Sequence, residues 1–132
     1  MNHKSHIAGA VFLVALTAQG AVAPSIEGTA TYRERIALPP TAVFEATLLD
    51  VSRADVPADV IARTHVPSPG YPPIRFAIRY DATRIRPRHT YVVRAHIVDG
   101  KRLMFTTDSS YPVLTHGHGN TVVMIMRMTR RS

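Results

Sequence analysis

Apolar and polar residues alternate along most of the chain beyond residue 24. Ala42 to Val51 sets Phe44, Ala46 and Leu48 on one face and Glu45 and Thr47 on the other. Ile74, Phe76, Ile78 and Tyr80 alternate with Arg75, Ala77 and Arg79, and Tyr91, Val93, Ala95 and Ile97 with Val92, Arg94, His96 and Val98. A period of two marks a strand with one face buried. Gly28 to Ala37 and Asp59 to Val66 carry weaker versions of the pattern, and Lys101 to Thr107 puts Leu103 and Phe105 in phase. Thr121 to Met128 is a nearly continuous apolar run, which predicts a central or doubly covered strand. Nothing in these segments has a helical period. Ten prolines and seven glycines break the chain at the short intervals typical of a small all-β domain. The predicted core is Phe44, Leu48, Phe76, Ile78, Tyr91, Val93, Phe105, Val122 and Met124.

Two local features turn this list of strands into an architecture. At Asp99-Gly100, a three-residue loop Val98-Asp99-Gly100 with Gly100 in the left-handed region pairs Ile97 with Lys101, Ala95 with Leu103 and Val93 with Phe105. That register keeps apolar residues together and predicts a glycine-bulge hairpin. In Ile85-Arg86-Pro87-Arg88-His89-Thr90-Tyr91, a tyrosine opens a strand four residues after a proline. This resembles the tyrosine corner of immunoglobulin-like sandwiches, where the hydroxyl bonds to backbone a few residues upstream. The expected fold is a single-domain, all-β, immunoglobulin-like sandwich of about seven antiparallel strands.

The start of the chain alters the picture of where this domain works. Lys4, an apolar run from Ile7 to Leu16 and a small-residue tail ending Ala21-Val22-Ala23 have the three-part layout of an export signal. Residues 1–23 are read as the signal, cleaved after Gly20 or Ala23, and 24–132 as the exported domain. The chain contains no cysteine, so neither a disulfide nor a lipid on cysteine is expected. The expected location is the periplasm, with membrane contact only during export. Net charge is +7, and fourteen of the sixteen basic residues are arginine. In an exported protein this balance points away from nucleic acid and toward an acidic protein or an anionic envelope surface.

The residues offer little chemistry. There is no cysteine nucleophile, no Gly-x-Ser-x-Gly turn, no phosphate-binding glycine loop and no His-Glu-x-x-His helix. Asp108, Ser109, Ser110 and His116 can be drawn as a triad, but such groupings are defined by geometry and Asp-Ser-Ser is ordinary turn composition. No catalytic residue and no cofactor is expected. His116 and His118 are the candidate metal ligands, although they sit between glycines and lack an adjacent third donor. The outward positions Arg75, Arg79, Arg94 and Arg102, with Met104 among them, would form a cationic and partly apolar face if their strands are neighbours. Arginine beside exposed apolar groups suits a protein interface better than a merely solvated face. The alternative is a periplasmic ligand-binding protein, holding an anionic glycan or lipid on the arginines or a metal ion on the histidines.

Five blocks, in order, resemble the YbaY-type envelope lipoprotein family, which is grouped with the YscW pilotin of type III secretion. They are Gly28 to Pro40, Leu48 to Asp55, Tyr80-Asp81, Ile85 to His89 and Tyr111 to Thr115. The resemblance spans about residues 26 to 128. It implies a bacterial envelope β-domain, no catalytic residues, and a chaperone-like accessory role whose partner is an envelope protein or another copy of the chain. Family members with a lipid anchor need a cysteine at the signal cleavage site, and this sequence has none.

Overall fold

The computed structural model describes residues 23–130. The export signal expected over residues 1–23 therefore lies outside the described residues at all but its last position. The described residues form eight strands: β1 Ser25–Thr31, β2 Ala42–Asp50, β3 Asp59–Pro67, β4 Ile74–Arg79, β5 Tyr91–Asp99, β6 Arg102–Thr107, β7 Pro112–Val113 and β8 Thr121–Met128. One 3-10 turn, Ala82–Arg84, follows β4, and the described residues contain no α-helix. The all-β expectation and the approximate strand count hold.

The strands follow one hydrogen-bonded path, β3-β2-β5-β6-β8-β1-β4, with the short β7 added beside β5. The two ends of that path, β3 and β4, approach each other without forming a ladder. Arg84 helps to bridge them. Its guanidinium donates to the carbonyls of Ile61 at 3.1 Å and Val60 at 3.3 Å. The sheet thus curls most of the way to a barrel. Continuity comes from β8, whose residues Thr121 to Ile125 pair parallel with β1 while Met126 to Met128 pair antiparallel with β6. The β1–β8 ladder departs from the wholly antiparallel expectation. A period-two pattern reports which face is buried and carries no information about strand direction.

All nine predicted core residues are buried, Val122 being the most accessible at 8%. Rings fasten distant strands across the interior: Phe44 meets Phe76 at 5.2 Å and Tyr32 stacks on Phe105 at 4.1 Å, measured between centroids. Tyr32 lies just past β1, which ends at Thr31 rather than running to Ala37, and its hydroxyl donates to the Ile36 carbonyl. Burial raises the Tyr32 pKa above the ordinary phenol value, helped by the charges of Tyr71 and Glu34.

The tyrosine corner is present. Tyr91 is 1% exposed, and its hydroxyl accepts from the Arg86 N–H at 2.8 Å and donates to the Arg84 carbonyl at 3.3 Å. These bonds hold the crossover from the 3-10 turn into β5. Tyr91→Phe keeps the ring and removes both bonds. We expect a loss of about 1–3 kcal/mol, two bonds at about 0.5–1.5 kcal/mol each, seen as a lower urea midpoint with an unchanged slope.

The β5–β6 hairpin corrects the expected register. Asp99 pairs with Arg102 and Val98 with Leu103, leaving a two-residue turn, Gly100-Lys101. Gly100 does take positive φ, at +61°, at the first central position, the place where a type II′ turn favours glycine. The register then slips, and Ile97 faces Phe105. Met104 is the extra residue of a β-bulge, so Met104 and Phe105 are both buried while Leu103 turns outward at 43% exposure. Met104 was expected on the outward face; the bulge puts it in the core.

Candidate functional site

The arginine row does not form one face. Arg75 and Arg79 are exposed on β4, which pairs with β1, whereas Arg94 lies on β5 between β2 and β6. Across β1, Arg75 stands opposite Thr29 and Arg79 opposite Ser25. Arg94 stands opposite Thr47, and Arg102 closes the hairpin opposite Asp99. The β5 and β6 strands are neighbours, but β4 lies at the far end of the strand path, away from both. The outward apolar positions between them differ as well: Val92 is buried and Val98 half-buried.

The structure instead gathers Arg102 and Met104 into a groove beside the end of β8. A cleft of about 430 Å³ is lined by Ile36, Leu103, Met104 and Met128, with Lys101, Arg102 and Arg130 around it. Two causes build it. The bulge turns Met104 inward beneath Leu103. Met128 keeps the inward phase of Met124 and Met126, but it lies where the core ends and is 45% exposed. Thr129 locks this corner, its N–H donating to the Met104 carbonyl at 2.9 Å. A floor of methionine, leucine and isoleucine under a cationic rim adapts to apolar side chains of varied shape.

The groove meets a second cleft at Met128, lined by Arg33, Glu34, Asp108, Tyr111, Ile125 and Arg127 among others. Here Arg127 pairs with Asp108 at 2.8 Å. The Tyr111 hydroxyl accepts from the Ile125 N–H at 3.0 Å and lies 3.4 Å from the Ile125 carbonyl, occupying a stretch of strand edge. Beyond it Val123 is 75% exposed and Ile125 39%. Of the two alternatives for β8, the central position holds and the double coverage does not. The strand is flanked on both edges, but one face of its apolar run is open.

The other sequence candidates lie elsewhere. His116, with φ of +55°, and His118 are exposed in the connection from β7 to β8. The nearest polar partner of His116 is the Thr90 hydroxyl, at 3.4 Å. No group of three His, Cys, Asp or Glu arranged to hold a metal is present among the described residues. Asp108 is engaged by Arg127 and Ser109 rather than by a histidine, so the paper triad is not assembled. The most closely knit polar cluster lies near the tyrosine corner. His89 Nδ1 is 2.6 Å from Asp50, which also accepts from Ser52. Burial pushes the Asp50 pKa up, but the hydrogen bonds from His89 and Ser52 outweigh it and hold the carboxyl below its ordinary value. Thr115, the one buried polar residue in this region, donates to the His89 carbonyl at 2.6 Å. The cluster braces the loop that carries the corner.

Comparison with known proteins adds a family. Residues 21–126 match the pattern of the type III secretion system lipoprotein chaperone family, YscW. Over 95 residues, 71% of this chain, it is 35% identical to the uncharacterized lipoprotein YbaY of Escherichia coli (strain K12). The chain spans about half the length of that lipoprotein, 50%. Among solved structures it is similar to an alternative pilotin from the type II secretion system of Vibrio cholerae. The TM-score is 0.79 at 38% identity, covering 83% of this chain and 100% of that one.

Proposed function

We propose, because the chain belongs to the YscW family, that it is a chaperone-like accessory protein of the cell envelope which holds a protein partner in the Met104–Met128 groove. The observation that carries this reading is the extent of the family match, residues 21–126, which takes in nearly all of the folded domain rather than one motif. The groove supplies the means. It is apolar at its floor and cationic at its rim, and it uses Arg102 and Met104 with Ile36, Leu103 and Met128. Arg75, Arg79 and Arg94 remain supporting charges on other faces, suited to steering an acidic partner more than to gripping it. We further propose export to the periplasm without a lipid anchor, since the sequence has no cysteine to carry one. The tyrosine corner and the enclosed two-sided core support reading the fold as a curled variant of the immunoglobulin-like sandwich.

The test is affinity capture from a periplasmic extract, followed by direct binding of the purified partner. Leu103→Glu with Met128→Glu should abolish capture, because charge in the apolar centre of an interface is costly. Arg75→Glu with Arg79→Glu should slow association and leave much of the affinity. Equal capture by the groove variant and the native chain would refute this site. Binding that disappears in moderate salt would favour an anionic surface as ligand instead.

A further inference from the structure

The floor of the groove holds a thioether open to solvent. Of the four methionines among the described residues, three are sealed from water: Met104 is 7% exposed, Met124 0% and Met126 1%. Met128 is 45% exposed and shares the floor with Ile36, Leu103 and Met104. Its backbone pairs with Phe105 at the end of the β6–β8 ladder, and Thr129 just beyond it is tied to the Met104 carbonyl. A fixed strand end therefore presents this side chain. The chain has no cysteine, so methionine is its only sulfur.

Resting on the groove as the binding site, we propose that Met128 is a site of reversible oxidation by a peroxide or hypohalous acid, and that its sulfoxide closes the groove to apolar partners. With hydrogen peroxide, the sulfur lone pair attacks one oxygen as the O–O bond breaks, and the other oxygen leaves as water with both peroxide protons. The sulfur is oxidised by two electrons and the peroxide reduced by two. A flexible apolar side chain that adapts to its partner becomes a polar, chiral one. The hydrogen-bond donors of this groove stand at its rim, on Lys101, Arg102 and Arg130, whereas the floor residues Ile36 and Leu103 have none in their side chains. An apolar partner seated on the floor strips the new oxygen of water and returns no hydrogen bond. The response stays local, because Met104, Met124 and Met126 are enclosed in the core, where oxidation would disrupt the fold. Sulfoxide reductases return the thioether.

Treating the full chain with hydrogen peroxide and mapping its peptides by mass spectrometry tests the site. Met128 should gain one oxygen at least about tenfold faster than Met104, Met124 or Met126, since access governs the reaction, and the circular dichroism spectrum should stay native. Equal rates at the four positions, or an unmodified Met128, overturn the proposal. The consequence is read with anilinonaphthalene sulfonate, an apolar anion that matches both floor and rim. Oxidation should weaken its binding by more than about fivefold, Met128→Gln should do so without peroxide, and sulfoxide reductases should restore the oxidised chain. Met128→Leu, whatever its own affinity, should bind the dye equally before and after peroxide. Dye binding that Leu103→Glu weakens but oxidation leaves intact overturns the switch alone. Dye binding indifferent to Leu103→Glu as well refutes the groove, and the switch with it.

Discussion

Replacing Phe105 by alanine should lower the unfolding free energy by about 3–5 kcal/mol, the range for deleting a buried phenylalanine. Phe105 is fully buried, and its ring stacks on Tyr32 with centroids 4.1 Å apart. That stack fastens the segment after β1 to β6, which β8 otherwise separates. Refilling the hole is difficult, because the bulge has already committed Met104 to the adjoining space. A domain of this size has about 5–15 kcal/mol in all, so the variant should be marginal at 37 °C. Chemical denaturation monitored by far-UV circular dichroism measures the loss. A change below about 1 kcal/mol would mean that the ring is not a core group.

Gly28→Ala should also destabilise, by about 1–3 kcal/mol, through crowding rather than through a cavity. A Cβ built on Gly28 would stand 2.4 Å from the Phe76 ring edge and 2.8 Å from a Val122 methyl. Phe76 cannot simply swing aside, since its ring packs on Phe44 from β2. The glycine lets β1 pass beneath that ring while pairing with β4 on one side and β8 on the other. The crowding has a specific signature. In a Phe76→Leu background the added methyl should cost much less, so the two substitutions should be strongly non-additive. Equal cost in both backgrounds would show that the ring is not what Gly28 accommodates.

What could be read from the sequence was local. Tyr91 opens a strand a few residues after Pro87, and the hydrogen bonds of the corner span only five and seven positions. Alternation along β2, β4 and β5 placed the core correctly because each phase is written within a single segment. The groove was out of reach for the opposite reason. Strict alternation puts Leu103 inside with Phe105, and only the one-residue slip on β6 brings Met104 in and sends Leu103 out. The arginine row failed because it required β4 and β5 to be neighbours, and strand order is decided by long-range pairing. The apolar run of β8 was visible but ambiguous. A strand flanked on both edges and a strand covered on both faces have similar composition, and only the latter hides Val123.

The place of β8 in the sheet bears on when this protein becomes competent. Without β8, the pair β1–β4 has no ladder to the other strands, which could still assemble as β3-β2-β5-β6. Closing the sheet joins segments far apart along the chain: the Asn120 amide reaches the Ser25 carbonyl across 95 positions. Such closure meets its entropic cost before its contacts form, and it places the domain among high-contact-order, slow-folding topologies. The same strand contributes Met128 to the groove floor. The groove therefore depends on that closure: its floor is complete only when β8 has joined β6 and brought Met128 beside Met104.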